Sequence, residues 1–306
     1  MKNIPLFWST EYLRTINFES VLLSLDILDG SVRELDLSND LLDYSGCEFL
    51  LGGQIIDGSF FSNKSGSFGG VYSKNGWKDN DFLEKAISYL QVNFSIENFH
   101  IKLPSDHLTQ FDNLLQIQAL INLGFRIDFV DFNYSIDVKS WTINKMSKGN
   151  NKKLRQSSIA GLNFRILDLE TLDSVYELLE NNRKLKNANL SLTKNELYNL
   201  CAQFPNHYSL FGVYNGEILV SAAVVVVTYS SNLYVLYWAD DFNFRSYSPV
   251  TFLASELVKY ASENGYETLD LGTVGQNGTY NSNLARFKQN LGASLSLKYS
   301  LSFSSV

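Results

Sequence analysis

Two charged side chains near the C-terminus are placed where they could act on a polar reaction centre. Lys288 follows Phe287 in a short helix-like segment, and Asp270 lies inside the apolar run Leu269–Leu271. A lysine ammonium can stabilise a developing oxyanion or bind a phosphate, and a buried carboxylate can accept a proton from an amine. We therefore take Lys288 and Asp270 as the candidate catalytic residues. The structural alternatives are a solvated lysine whose stem covers apolar surface and a carboxylate bonded to nearby N–H groups.

A second group of side chains could contact a substrate or a cofactor, although each also has an ordinary role as a core, surface or linker residue. Two of them precede a helix start at Pro249, where a phosphate could bind, and the others follow an apolar strand, flank a polar loop or lie in a basic stretch. The group consists of Arg155, Trp238, Arg245, Tyr247, Tyr280 and Arg286.

Other residue types give no comparable signal. The three histidines, His100, His107 and His207, do not show metal-ligand spacing with cysteines or carboxylates. Cys201 has no local signature of a catalytic thiol, and the glycines form neither a dinucleotide-binding motif nor a P-loop. We therefore expect no metal.

The elements that must position the candidate residues form a unit of strand, loop, short helix and strand between residues 269 and 303. The first strand ends at Gly272, and a polar loop leads to a helix over Leu284–Leu291. Apolar residues then alternate from Leu295 to Phe303, which is typical of a strand with one buried face. Ligands in α/β proteins tend to bind where a parallel strand ends and a helix begins, so this loop is where we expect the site.

The two halves of the chain repeat one order of elements: strands, helix, strand, helix, strands. An offset of 168 residues carries Ile101–Pro104 onto Leu269–Gly272 and Leu123-Gly124 onto Leu291-Gly292. Few residues are identical, so the repeat is one of pattern. It predicts domains at 1–144 and 145–306, separated within the polar, basic stretch 139–156.

Periodicity and turn signals predict the main elements of each half. We expect a partly helical segment over 10–25, a helix over 79–94 capped by Asp79 or Asn80, a strand over 99–103 stopped by Pro104, helices over 111–123 and 249–264, a strand pair over 48–61 with turns at Gly52-Gly53 and Asp57-Gly58, and a hairpin at Asn215-Gly216.

Composition limits the class of protein. The chain has 306 residues, of which 45% are hydrophobic, and its formal charge is −7. That charge disfavours DNA and tRNA as main partners. Two cysteines imply no disulfide framework, and the longest apolar run, 218–227, is too short for a transmembrane helix. With no signal-peptide pattern at the N-terminus, we predict a globular cytoplasmic protein.

The motifs of the second half resemble the tandem-GNAT acyltransferases, a group that includes the Fem-type aminoacyl transferases. The resemblance depends on the stretch Arg245–Pro249 before a helix, on Gly265 after it, and on the Leu269–Gly272 step. The Phe287-Lys288 pair followed by Gly292 matches well, and Lys152–Arg155 resembles the basic helix start of the second domain in that group.

The resemblance implies an α/β (α+β) fold of two tandem GNAT-like domains, each with a mixed, mostly antiparallel central sheet flanked by helices. It implies an N-acyltransferase that moves an acetyl or aminoacyl group from acyl-CoA or aminoacyl-tRNA to a primary amine. The acceptor would be a small molecule such as an amino sugar, or a cell-envelope precursor, bound in a cleft between the halves. The alternative is a non-catalytic binding module on a degenerate form of the fold.

One stretch departs from the pattern of single-domain GNAT enzymes. Their glycine-rich loop before the long helix binds the pyrophosphate of acetyl-CoA through backbone N–H groups. Here the corresponding stretch, 245–250, contains no glycine, and Pro249 lacks an N–H. The acyl donor therefore stays open between acyl-CoA and aminoacyl-tRNA.

Overall fold

The computed structural model describes residues 5–15, 19–26, 30–38, 47–64, 66–76, 81–108, 111–229 and 231–304. Its helices are α1 (Thr10–Arg14), α2 (Asp81–Phe94), α3 (Asn113–Asn122), α4 (Lys148–Ile159), α5 (Leu172–Lys184), α6 (Lys194–Gln203), α7 (Pro249–Glu263) and α8 (Ser282–Asn290). Its strands are β1 (Glu19–Asp26), β2 (Val32–Glu34), β3 (Cys47–Ile56), β4 (Ser59–Ser62), β5 (Val71–Ser73), β6 (Asn98–Ser105), β7 (Arg126–Asp137), β8 (Leu162–Leu167), β9 (Tyr208–Asn215), β10 (Ile218–Tyr229), β11 (Asn232–Asp240), β12 (Thr268–Thr273) and β13 (Ser294–Ser304).

The chain divides into two compact units. The first comprises Met1–Phe132, Gly275–Tyr280 and Ser296–Val306. Its strands follow the order β2-β1-β3-β4-β6-β13, with β5 paired to β3, and β4 runs parallel to β6. Apolar residues of α2 and α3, such as Phe82, Leu90 and Leu120, pack against strand residues in one core.

The second unit comprises Asn133–Val274 and Asn281–Leu295. Its strands follow the order β7-β12-β11-β10-β9-β8, and β11 runs parallel to β12. The first half of the chain thus supplies β7 to the sheet of the second unit, while the C-terminal strand β13 pairs with β6 in the first. Each unit therefore contains one strand from the other half of the sequence.

The long helix of the second unit follows directly from its sequence. Pro249 occupies the first helical turn, where its missing N–H costs nothing. Leu253, Leu257 and Ala261 recur at helical spacing and are fully buried in the core. The chain leaves the helix through Gly265, whose φ of +77° requires glycine. These signals gave the predicted bounds almost to the residue.

Three local predictions were wrong. Gly52 and Gly53 do not form a turn but lie inside β3. Glycine is needed at position 53 because a Cβ there would stand 2.5 Å from the Phe60 ring of the neighbouring strand. Strand β6 continues past Pro104 to Ser105, since a register shift opposite, between Lys298 and Ser300, absorbs the missing N–H.

The segment predicted as partly helical over 10–25 contains α1 followed by β1. Residues Asp79 and Asn80, expected to cap α2, lie outside the described residues. The part of the chain that the structure describes contains no helix with the length and hydropathy needed to cross a bilayer.

Candidate functional site

Two parallel strands separate in the second unit, close to the candidate catalytic residues. The pairing of β11 with β12 joins Asn232 to Thr268 and ends with Tyr234 opposite Asp270. Strand β11 then continues to Asp240, while β12 ends at Thr273. The strands therefore diverge beyond Asp270, and backbone groups of β11 in that region face the gap.

A bulge in β11 lies at the start of this gap. On the other side of β11, Val224 pairs with Tyr237 and Val225 with Val235, so Leu236 is an extra residue. A bulge of this kind increases local twist and changes the direction of the backbone groups beside it. It lies one to two residues past the end of the parallel pairing, where it helps to turn β11 away from β12.

The end of β12 is kinked at Gly272. Asp270 pairs with Ser135 of β7, but the next pair is Thr273 with Asn133, so the register shifts between them. Gly272 has a φ of +79°, which an L-residue adopts only with strain. The kink turns the carbonyl groups of residues 271–273 out of the regular ladder.

Asp270 holds this kink from one side. Its side chain is 2% exposed, and its Oδ1 accepts hydrogen bonds from the Gly272 N–H at 2.8 Å and from the Asn133 Nδ2 at 2.9 Å. A carboxylate that accepts from the N–H two residues ahead closes a tight local turn. Asp270 is therefore bonded as a structural carboxylate at the same place where it could act as a base.

Lys288 holds the kink from the other side. The Asn281 side chain caps α8, which carries Lys288 in its last turn. Although only 2% exposed, Lys288 donates from Nζ to the carbonyls of Leu271 at 2.6 Å, Gly272 at 2.8 Å and Thr273 at 2.9 Å. The three protons of the ammonium match three carbonyl acceptors.

Burial changes the acidity of this ammonium. It lowers the pKa of Lys288 to about 7, the Asp270 carboxylate opposes the change, and the Arg183 guanidinium adds to it. Near neutral pH the side chain therefore exchanges between ammonium and amine, which is the range that proton transfer requires. The neutral amine has only two protons, so deprotonation releases one of the three carbonyls.

Stability should depend on pH through this group. The unfolded chain keeps the proton up to the ordinary lysine pKa of 10.5, whereas the folded chain loses it above about 7. Raising the pH through that window therefore stabilises the folded state, by up to about 1.4 kcal/mol per pH unit. We expect the difference in unfolding free energy between wild type and Lys288→Met to move in favour of the wild type as pH rises. Urea titrations of both proteins across the window measure it, and a constant difference would contradict the assignment.

The other candidate binding residues do not all converge on the kink. Trp238 of β11 packs on Phe287, next to Lys288, with ring centroids 5.6 Å apart. Arg286 is exposed on α8, and Arg155 is exposed on α4. Tyr280 belongs to the first unit, is 53% exposed and meets Phe132 edge-on at 5.4 Å.

Arg245 and Tyr247 lie in the single turns before α7. The Arg245 guanidinium pairs with Asp240 at 3.2 Å and lies over the Phe242 ring. The carbonyl of Tyr247 accepts a hydrogen bond from Ser157 of α4. Both residues therefore have structural contacts, and the exposed parts of their side chains stay available to a ligand.

The start of α7 offers few donors to an anion. Ser248 is left-handed, with φ 55°, and its carbonyl already accepts the N–H groups of Thr251 and Phe252. Pro249 has no N–H. The geometry agrees with the expectation, made from the missing glycines, that this turn lacks the usual pyrophosphate cradle.

Two residues near the site were missed in the sequence. Asn133 is 1% exposed and follows a polar alternation with Asp131 and Ser135 in β7, a signal that could have been used. Arg183 belongs to α5, a helix that was not predicted.

A pocket of about 430 Å³ borders α5 and the end of β11. Three carboxylates line it, from Glu177, Asp240 and Asp241. Among the described residues, no group of three or more metal-ligating side chains occurs.

Comparison with known proteins finds a family match in the second half of the chain. Residues 144–289 match the family model described as an acetyltransferase (GNAT) domain, and this range includes the kink, Asp270 and Lys288. No curated protein matches the chain significantly.

Solved structures extend the likeness to the whole chain. FemX matches with a TM-score of 0.67 over 99% of this chain and 92% of its own, at 16% identity. The C-terminal domain of a protein described as a lysylphosphatidylglycerol synthetase from Agrobacterium fabrum matches with 0.58 over 86% and 83%, at 11% identity. L-PGS from Bacillus licheniformis matches with 0.56 over 84% and 81%, at 12% identity.

At these identities the solved structures show the fold. The chain resembles the Fem-type and GNAT acyltransferase group, and the α/β fold class predicted from the sequence is confirmed. The match of residues 144–289 to the GNAT domain supports acyl transfer in general terms.

Proposed function

We propose that the protein is an N-acyltransferase that moves an acyl or aminoacyl group from an activated thioester or ester to a primary amine. The observation that carries the proposal is the divergence of β11 and β12 inside the range that matches the GNAT domain. The acyl group of the donor would lie in that gap, against backbone N–H groups of β11. Preorganised donors at such a place stabilise the oxyanion of a tetrahedral intermediate.

The kink at Gly272 supplies the remaining chemistry in this proposal. An acceptor amine attacks only as the free base, so a group near the gap must take its proton. Asp270 would do so directly or through water, and Lys288 would stabilise charge and fix the three carbonyls. Trp238 and Phe287 would exclude water on that side, and the exposed Arg286 would contact the substrate.

The donor is proposed to be an aminoacyl ester rather than acyl-CoA. The turn before α7 lacks the pyrophosphate cradle, and one solved structure of the same fold is named for lysylphosphatidylglycerol, a product that contains an aminoacyl group. Helix α4 presents Lys148, Lys152, Lys153 and Arg155 to solvent, where they would bind phosphates of such a donor, together with Arg245 and Tyr247. The acceptor would be an amino sugar or another amine of a cell-envelope precursor, handled in the cytoplasm.

Acetyl-CoA is therefore expected to bind weakly. A ligand at a hundredfold excess over its Kd stabilises a protein by about 2.7 kcal/mol. In a thermal-shift titration with saturating acetyl-CoA we expect no such stabilisation. Stabilisation of that size would make acyl-CoA the donor, but it would not change the proposal that the second unit carries out the reaction.

A non-catalytic binding module is the second candidate function. It is favoured by the saturation of the Lys288 ammonium by three carbonyls, which is the arrangement of a structural lysine. The two candidates differ in what substitutions at Lys288 and Asp270 should do to transfer.

A further inference from the structure

The first unit has a strand divergence of its own. Strands β4 and β6 pair in parallel from Ser59 and Asn98 to Ser62 and Ile101. Beyond that point β6 continues to Ser105, while the described residues 63–64 and 66–70 after β4 lie in a loop. The Gly69 N–H donates to the carbonyl of Lys102 at 2.7 Å, which joins the loop to β6. The Gly70 N–H donates to the Ser62 Oγ, which joins the end of the loop to its start.

Two buried amides border this loop with one atom each unsatisfied. Gln54 of β3 is fully buried, and its Oε1 accepts the Lys64 N–H at 2.5 Å. Asn63 is 2% exposed, and its Nδ2 donates to the Phe68 carbonyl at 2.7 Å. Among the described residues, the Gln54 Nε2 and the Asn63 Oδ1 have no hydrogen-bond partner. Buried polar groups are rarely left in this state unless a ligand or water uses them.

A lysine lies on the same face of the sheet. The register places Gln54 opposite Phe61 and Phe61 opposite His100, and the Phe61 and His100 rings stack at 4.5 Å. Lys102 follows two residues along β6 and is half-buried. Within the described part of the chain, its ammonium makes no hydrogen bond or close ion pair. Burial lowers the pKa of Lys102, and Lys64 lowers it further, against the carboxylate of Asp131.

The neighbouring charges are already engaged. Lys298 is 5% exposed and donates to the Ser67 carbonyl while lying 5.6 Å from the Phe68 ring centre. Asp131 accepts the Gly278 N–H at 2.9 Å, and Asp128 accepts from Ser302. The two charges that act on Lys102 are the Asp131 carboxylate, which has the larger effect, and the Lys64 ammonium. The two lysines together carry one positive charge more than Asp131 offsets, and the Gln54 amide donor is unused.

We propose that the first unit binds an oxyanion, the phosphate or carboxylate group of a ligand, where β4 and β6 diverge. Lys102 and Lys64 provide the positive charge, and the Gln54 Nε2 donates a hydrogen bond. The Asn63 Oδ1 selects a ligand that also carries a hydroxyl or amine donor next to the anion. The first unit is then a ligand-binding unit.

Titration calorimetry of the full-length protein with inorganic phosphate, and separately with acetate, tests this site. We expect at least one of the two anions to bind at one site per chain. The anion that binds with the higher affinity identifies the ligand group as a phosphate or a carboxylate. Lys102→Met should weaken binding by about tenfold or more, because a charge-assisted contact is lost. Lys259→Met, a change at an exposed lysine on α7, should leave it unchanged.

Two controls separate binding from folding. Gln54→Glu keeps an oxygen for the Lys64 N–H but replaces the free donor with a negative charge, so it should also abolish binding. Without anion, Lys102→Met should melt no lower than the wild type, since it replaces an unpaired ammonium with an apolar chain. The proposal fails if neither anion binds the wild type or if Lys102→Met binds an anion as tightly as the wild type does. It also fails if Lys102→Met, measured without anion, melts at a lower temperature than the wild type.

Discussion

Lys288→Met is expected to lower the free energy of unfolding by about 3 kcal/mol and to reduce transfer at least about a hundredfold. Methionine keeps the length of the side chain but removes every donor. The carbonyls of Leu271, Gly272 and Thr273 then stay buried without the partner that now binds them at 2.6–2.9 Å. Urea unfolding at fixed pH and a transfer assay measure the two effects.

An exposed lysine provides the matched control for this variant. Lys259 of α7 is 57% exposed and pairs with Glu256 at 2.5 Å. Surface pairs of this kind contribute at most about 1 kcal/mol, so Lys259→Met should be nearly silent in both assays. Equal stability of Lys288→Met and wild type would show that the kink does not depend on the ammonium.

Asp270→Ala and Asp270→Asn should separate the structural and the chemical role of the carboxylate. Alanine leaves the Gly272 N–H and the Asn133 amide buried without an acceptor, which should cost about 2–4 kcal/mol. Asparagine keeps an oxygen where Oδ1 accepts both bonds, so its stability should stay within about 1 kcal/mol of the wild type.

Transfer should respond differently from stability in this pair. If the carboxylate takes the proton of the acceptor amine, both substitutions should reduce the rate by about a hundredfold or more, because general bases contribute that much. Wild-type rates for Asp270→Asn would assign Asp270 to structure alone. The comparison needs only variants that fold, which circular dichroism establishes.

Elements that bury a periodic face were predictable from the sequence. The helix after Pro249 and the strand over Leu295–Phe303 were placed within a residue or two. The single buried face expected for that strand was wrong, since Leu295 is 52% exposed whereas Lys298 and Ser300 on the other side are buried. The stretch 157–207 was not assigned, and it contains β8, α5 and α6. The hairpin at Asn215-Gly216 was also correct, since Gly216 adopts a φ of +61°.

The site was predictable only in part. The pairing of Phe287 with Lys288 drew attention to the right helix, and Leu269–Gly272 to the right strand. The partners of Asp270 could not be deduced, since Asn133 is 137 residues away and belongs to a strand supplied by the first half of the sequence. The three carbonyls around Lys288 depend on a register shift, which a local pattern does not reveal.

Lys102 shows the same limit in the first unit. The repeat places it in register with Asp270, yet the sequence gives no reason to expect an unpaired ammonium there. Its significance comes from Gln54 and Asn63, whose unsatisfied atoms are visible only in three dimensions.

Mass-spectrometric detection of amide formation, with an amino sugar and other primary amines as acceptors, is the decisive test of the proposed transfer reaction. Aminoacyl-tRNA and acetyl-CoA are supplied in separate reactions, with wild type, Lys288→Met and Asp270→Asn compared in each. The proposed function predicts an amide product with the wild type and aminoacyl-tRNA, and almost none with either variant. Transfer that persists in both variants, or a wild type that forms no amide from either donor, would contradict it.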